Sequence, residues 1–228
     1  MIVQIYETTT SEEARELARC GVDHVGVLVG AGVFARELAV REACVIFAAL
    51  PPTITRVALS LSADPTEIAH VITATKPDII HLGAAIERFP LEQTRRLRAR
   101  FPDVRIMRSI PVVGEQSLSI AKQHADAVDL LLLDSHDPGD VQIGALGRPH
   151  DWQLSRQIVD AVQIPVVLAG GLGPGNVAAA IRVVRPAGVD SKSNTDRRDG
   201  CGKDLVKVRA FVAAAKEVAA ALSQGSRS

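Results

Sequence analysis

Asp134 ends the run Asp129–Asp134 (DLLLLD), and a carboxylate closing a wholly apolar stretch is costly unless it does something there. Other reactive side chains stand at similar places, at the ends of short apolar runs. Tyr6 and Glu7 follow Val3-Gln4-Ile5, His81 sits in Asp78–Leu82 (DIIHL), Arg108 in Arg105–Ile110 (RIMRSI), and Lys192 just after Gly188–Ser191. Asp134 and a partly desolvated Glu7 suit general acid and base roles. Tyr6 can donate a hydrogen bond to a substrate oxygen, and His81 can act as acid, base or ligand. Lys192 can neutralise an anion or, with its pKa lowered by neighbouring cations, form a Schiff base. Glu7, His81, Asp134 and His136 are also ligand types for Zn²⁺ or Mn²⁺, but Asp134-Ser135-His136-Asp137 lacks a diagnostic ligand spacing, and no metal is expected. Each residue has a plainer reading. Glu7 pairs with Arg108 or Lys192, Asp134 pairs with Arg108, Tyr6 is a space-filling plug, and His81 is a satisfied core histidine.

Two loops carry a different chemistry. Ala169–Val177 reads AGGLGPGNV, and Asp190–Asn194 reads DSKSN. Glycines let backbone amides approach an anion closely, because no Cβ intervenes. Gly170, Gly171, Ser193 and Asn194 can supply such donors, with Lys192 beside them. The plainer reading is a tight turn before a helix.

The elements that must position these residues alternate along the chain. Expected strands are Val3–Tyr6, His24–Val29, Thr55–Leu61, Asp78–Leu82, Arg105–Ile110, Asp129–Asp134, Pro165–Ala169 and Gly188–Ser191. Amphipathic helices separate them. Thr10 stands three residues before Glu13, a capping-box spacing. Asp64-Pro65 opens another helix, and Pro51-Pro52 closes one. Near-continuous apolar strands imply a parallel sheet buried on both faces. Eight such βα pairs predict a (β/α)8 barrel, the TIM-barrel fold, as a single domain over residues 1–222 with a frayed polar tail at 223–228. An open doubly wound sheet is the competitor, but no G-x-G-x-x-G follows the first strand. A barrel places its site at the strand C-termini, which selects the residues above and Arg36 and excludes His24 and Arg56. The loop Ser135–His150 exceeds the roughly 12–15 residues common in compact domains and reads as a cover over that site.

Composition narrows the partners. Lys plus Arg and Asp plus Glu both number 26, so there is no cationic surplus for nucleic acid. Aromatics at 3% leave little for base stacking. Cys20, Cys44 and Cys201 form neither a disulfide framework nor a CxxC knuckle. Cys201, flanked by Gly200 and Gly202, reads as loop filler. No leader or membrane-length apolar run is present, so a cytoplasmic location away from membranes is expected. The oligomeric state is not encoded in any motif.

The run LAGGLGPGNVAAAIRVVRPAGVD (Leu168–Asp190) resembles the phosphoribosylanthranilate isomerase family, whose motif here is GGLxPxNVxxAI followed by P-x-x-VD. The resemblance covers essentially the whole chain. Gly144, Gly147 and Asp151-Trp152 are similar to its G-G-x-G-x-x-F-D-W loop. It implies Gly170, Gly171 and Ser193 as phosphate-binding positions, Asp134 as general acid, Arg36 as a contact to an anthranilate, a phosphorylated sugar as substrate, and no cofactor. The reaction it implies is an aldose–ketose (Amadori-type) isomerisation. The opposite rim departs from the pattern. Tyr6 stands where the family's K-I-C-G has its basic cysteine. His81-Leu82-Gly83-Ala84 replaces Q-L-H-G, which moves the imidazole two positions back. Lys192–Asp196 replaces S-S-G-V-E, and His150 replaces the phenylalanine before Asp151. The expectation is therefore a family-type isomerase with a base other than cysteine. The alternatives are a Schiff-base or metal-assisted aldolase or lyase on a sugar phosphate, and a non-catalytic phosphate-binding barrel.

Overall fold

Strand β1 (Ile2–Ile5) pairs in parallel with β2 (His24–Leu28) on one side and with β8 (Gly188–Ser191) on the other, which closes the sheet in a computed structural model of the chain. Between them β3 (Thr55–Ser60), β4 (Ile79–Leu82), β5 (Arg105–Pro111), β6 (Leu130–Asp134) and β7 (Val166–Leu168) follow in sequence order, all parallel. The structure describes residues 1–225 except Pro138, Ala145 and Arg148. Helices α1 (Ser11–Arg19), α2 (Val40–Ala48), α3 (Pro65–Thr75), α4 (Leu91–Arg100), α5 (Gln116–Ala125), α6 (Trp152–Ala161), α7 (Val177–Val184) and α8 (Leu205–Gly225) alternate with the strands. This is the expected (β/α)8 barrel. Among the described residues no helix is long and apolar enough to cross a membrane.

Local chemistry sets the helix starts. Thr10 caps α1 by accepting from the Glu13 amide, while the Glu13 carboxylate turns to the Thr9 amide at 3.1 Å. Asp64 caps α3 ahead of Pro65, and Asp151 caps α6. Helix α7 starts at Val177, because Asn176 folds back to accept from the Gly173 amide and holds Gly173–Asn176 as a turn. Helix α8 starts at Leu205 and runs through Ser223 and Gln224 to Gly225, past the expected end at Leu222. The remainder of the expected tail, 226–228, lies outside the described residues, as do Pro138, Ala145 and Arg148 of the covering loop.

Strand alternation produces two cores. Residues such as Ile5, Val27, Ile80, Leu131 and Val189 face the helices and join the large outer core. Their neighbours Tyr6, Val57, Ile79, Met107, Leu130, Leu132, Val167 and Ala169 fill the barrel interior. Nearer the strand C-termini the inward positions mix polar residues such as His81, Ser109 and Asp134 with apolar ones such as Leu59, and they open into the cleft described next.

Candidate active site

The cleft at the C-terminal mouth is lined by Tyr6, Glu7, His81, Ser109, Asp134, Gly170, Gly171, Asp190, Lys192, Ser193 and Asn194, with an apolar wall that includes Leu28, Phe34, Leu59, Leu61, Leu132 and Ile143. On the interior of β1, β4 and β5, Tyr6 Oη lies 2.6 Å from His81 Nδ1, and His81 Nε2 lies 2.8 Å from Ser109 Oγ. Burial, with a smaller push from the Arg108 charge, lowers the His81 pKa to about 3. Burial and the nearby Asp190 raise the Tyr6 phenol well above its ordinary value. Both side chains are therefore neutral in the working range, and neither is a strong base. The phenol ring occupies the space over Gly26, where an added Cβ would sit 2.1 Å from ring Cδ1. Gly26 is what lets a tyrosine take this position without blocking the mouth.

Asp134 ends β6 beneath the loop that follows it. Burial pushes its carboxyl up to about 7, partly opposed by hydrogen bonds from the Ser135 amide (2.7 Å) and hydroxyl (3.3 Å). Asp190, on β8, is pushed up to about 8 by burial and then by the charge of Asp134. It accepts from Gln4 Nε2 at 3.2 Å, and Gln4 Oε1 meets His24 Nδ1 at 3.1 Å. The Asp134 charge is thus among the causes that hold Asp190 protonated near neutral pH.

The covering loop is docked over Asp134. Gln142 bridges to Ala84, the Ile143 amide donates to Gly83 O, and the Gly144 amide donates to Ser135 O. A Cβ on Gly144 would meet Asp134 Oδ2 at 2.2 Å. His150 lies over Gly170. His150 Nδ1 and Asp134 Oδ1 both fall within 3.3 Å of the point where a Gly170 Cβ would be. Neither His150 nitrogen has a partner among the described residues.

At the opposite rim the charges are paired. Glu7, in a left-handed conformation at φ 59°, meets Lys192 Nζ at 3.1 Å and Arg36 Nε at 3.8 Å. Arg36 Nη1 donates to Asp196 at 2.9 Å, while its Nη2 is buried without a partner among the described residues. The buried Lys203 joins them, with Nζ 2.6 Å from Asp196 and 3.0 Å from the Lys192 carbonyl. Gly170 and Gly171 turn the chain after β7 with φ of 79° and 62°, and Ser193 faces them from a short 3-10 turn, Ser193–Thr195. Asn194 lines the cleft, but its side-chain amide is spent on the Gly171 carbonyl at 2.6 Å. It ties the two loops together.

Arg108 is not brought to the site. It alternates with the inward Met107 and Ser109, so its side chain leaves the barrel on the helix side. There it is fully buried and donates to the carbonyls of Leu82 and Ala84 (2.7 Å each) and Phe89 (3.3 Å). The pairs expected for it with Glu7 or Asp134 do not form. Cys201 is exposed in the loop between β8 and α8, and His136 Nδ1 lies against the Gln142 carbonyl at 3.1 Å. Among the described residues no three His, Cys, Asp or Glu side chains converge as a ligand set. Asp190 and Ser109 are cleft residues absent from the sequence-based set. The period-two alternation of β5 and β8 points both inward, and that was the available signal.

The buried titrating groups fix a stability optimum. His24, His124 and His150 are held at about 4 and His81 at about 3, chiefly by burial, against roughly 6.5 in an unfolded chain. Between those values the unfolded state binds more histidine protons, so stability rises with pH. Asp134 and Asp190 act oppositely. Their folded values near 7 and 8 mean that the folded state keeps protons the unfolded chain has lost, so their contribution falls as pH rises toward 8. Four histidines outweigh two carboxyls up to about pH 6.5, and from there toward pH 8 the carboxyls prevail. Thermal unfolding should therefore peak near pH 6.5. Melting temperatures that climb steadily to about pH 9 would contradict these assignments.

A closed barrel with ionisable groups gathered at its strand ends around a glycine-lined turn has the layout of a barrel enzyme. Residues 7–214 match the family model of N-(5'-phosphoribosyl)anthranilate (PRA) isomerase. The chain belongs to that family. A relative named N-(5'-phosphoribosyl)anthranilate isomerase from Methanocella arvoryzae is 33% identical over 92% of this chain and 95% of its own length. One from Halobacterium salinarum is 35% identical over 93% and 94%. Among solved structures, phosphoribosyl anthranilate isomerase from Thermotoga maritima superposes with a TM-score of 0.80 at 28% identity, covering 95% of this chain and all of that one. Another structure, of the enzyme in complex with reduced 1-(o-carboxyphenylamino)-1-deoxyribulose 5-phosphate, gives 0.78 at 27% identity, with 95% of this chain and all of that one covered.

Proposed function

We propose that this chain isomerises an N-aryl phosphoribosylamine, the family's phosphoribosylanthranilate, to the corresponding 1-deoxyribulose phosphate, with Asp134 as acid and Asp190 as base. This reading puts it in tryptophan biosynthesis. The observation that carries it is the pair of buried carboxyls, raised to about 7 and 8, lining one cleft with the glycine cradle. The cradle of Gly170, Gly171 and Ser193 takes the phosphate, with the Lys192 charge nearby. The apolar wall takes the aryl ring, and the free Arg36 Nη2 meets its carboxylate. A related structure that holds a carboxyphenylamino deoxyribulose phosphate supports this class of ligand.

The chemistry follows from the pair's proton count. Between the two values the two carboxyls hold one proton, which rests mainly on Asp190, the higher of the two; the reactive form is the minor one that carries it on Asp134. Asp134 delivers it to the furanose ring oxygen, the C1–O bond opens, and an iminium forms. Asp190 then takes the proton from C2, giving an enaminol that tautomerises to the ketose. The dyad ends with the same single proton on the other carboxyl, ready to redistribute. Glu7 is a weaker choice of base, because Lys192 and Arg36 engage its oxygens. Lys192 Nζ is likewise engaged by Glu7 at 3.1 Å, so it is not presented freely to a substrate carbonyl as a Schiff base would need. A non-catalytic barrel would be favoured by Tyr6 plugging the mouth against Arg36, whereas Tyr6 lies against Gly26 and His81.

The test is conversion of phosphoribosylanthranilate by the purified chain, followed by NMR. Turnover lost in Asp134→Asn is expected; no turnover with any N-aryl phosphoribosylamine would end the reading. The profile of kcat/KM against pH should be bell-shaped with both limbs near neutrality, the apparent values belonging to the pair. Below about 7 both carboxyls are protonated and no base remains; above about 8 both are ionised and no acid remains. Gly170→Ala places a Cβ 2.6 Å from His150 Nδ1 at a residue held at φ 79°. Strain of about 1–3 kcal/mol at the cradle should raise KM by about five- to a hundredfold with a smaller change in kcat. An unchanged KM would place the phosphate elsewhere.

A further inference from the structure

The row Tyr6–His81–Ser109 contains a surplus proton. Each member is neutral and carries one exchangeable proton, three in all, while the row contains two hydrogen bonds, at 2.6 and 2.8 Å. Tyr6 can donate to His81 Nδ1 while His81 Nε2–H donates to Ser109 Oγ, which leaves the Ser109 hydroxyl proton over. Or Ser109 donates to Nε2 and Nδ1–H donates to Tyr6 Oη, which leaves the phenol proton over. The end opposite the surplus donor offers a lone pair. Among the described residues no third side chain bonds either hydroxyl, and all three residues are buried yet line the cleft. A fixed ammonium or carboxylate would offer one polarity only. This row offers both, at no change of charge, for the exchange of one imidazole tautomer.

We infer that the Tyr6–His81–Ser109 row holds the C2 oxygen of the sugar, accepting from it as a hydroxyl and donating to it as a carbonyl. The inference rests on the isomerase reading, because aldose-to-ketose conversion is what turns that oxygen from donor and acceptor into acceptor alone. Ser109 or Tyr6 touches the oxygen, and His81 is a positioning residue that switches their polarity. A neutral row also leaves the neighbouring carboxyl pair unperturbed, where a full charge would shift it. The chemistry on Tyr6 depends on the space at Gly26, which alone admits the ring.

The test is the ring ¹⁵N spectrum of His81 in the full chain, assigned with His81→Gln, free and with two probes. Ribulose 5-phosphate carries a carbonyl at C2; ribitol 5-phosphate carries a hydroxyl there, and both carry the phosphate. The expected result is a majority tautomer that differs between the two complexes. In Ser109→Ala the difference should disappear and the ketose should bind about fivefold more weakly, the effect of one neutral hydrogen bond. The same tautomer in both complexes, or a protonated His81, overturns the row's role while leaving the isomerase reading intact. Binding of neither probe overturns both, since it removes the phosphate cradle on which each stands.

Discussion

Asp134→Asn should lower kcat by about 10²–10⁴-fold, the usual contribution of a positioned general acid. The substitution keeps the shape and the hydrogen bonds from Ser135 but removes the transferable proton. It should not destabilise the fold near pH 8, because an amide carries none of the desolvation cost that pushes this carboxyl to about 7. It should also lower the Asp190 pKa, since the Asp134 charge is among the causes that raise it. The measurement is kcat and a carboxyl titration on the same preparation. Loss of turnover together with loss of folded protein would indicate a structural role. Retained turnover would transfer the acid function to another group.

Arg108→Ala should cost about 3–5 kcal/mol of stability, and for a chain of this size that is a melting temperature lower by on the order of 10 °C. The buried guanidinium satisfies three carbonyls, at Leu82, Ala84 and Phe89. Its removal leaves those acceptors unpaired and a cavity beneath the loop after β4. Folded Arg108→Ala should keep a near-normal KM, because the side chain lies outside the cleft. A raised KM with an unchanged melting temperature would return Arg108 to the substrate.

The strand–helix alternation and its consequence, a closed barrel, were legible because β4 and β6 are nearly all apolar and their polar residues fall at the ends. Asp134 was legible for the same reason, as the charged end of such a run. The glycine turn after β7 was legible from AGGLGPGNV, but those residues alone left a tight turn and an anion cradle equally open. Arg108 was misplaced because closeness to a strand's end was weighed and facing was not; inside a barrel, alternate residues point to opposite sides. The same neglect hid Asp190 and Ser109. The role of Gly26 could not be read from its own position, since it depends on where a ring from β1 comes to rest. The Glu7–Lys192 pair joins residues from the two ends of the chain, a contact that only barrel closure creates.

That closure also dates the birth of the site. Asp190, Lys192, Asp196 and Lys203 all arrive with the eighth strand and its loop, and β1 must wait for β8 to complete its ladder. During synthesis, seven-eighths of the barrel can emerge from the ribosome with Glu7 and Arg36 still without Lys192 and Asp196, and Asp134 without Asp190 beside the same cleft. The cleft is complete only when that final eighth docks.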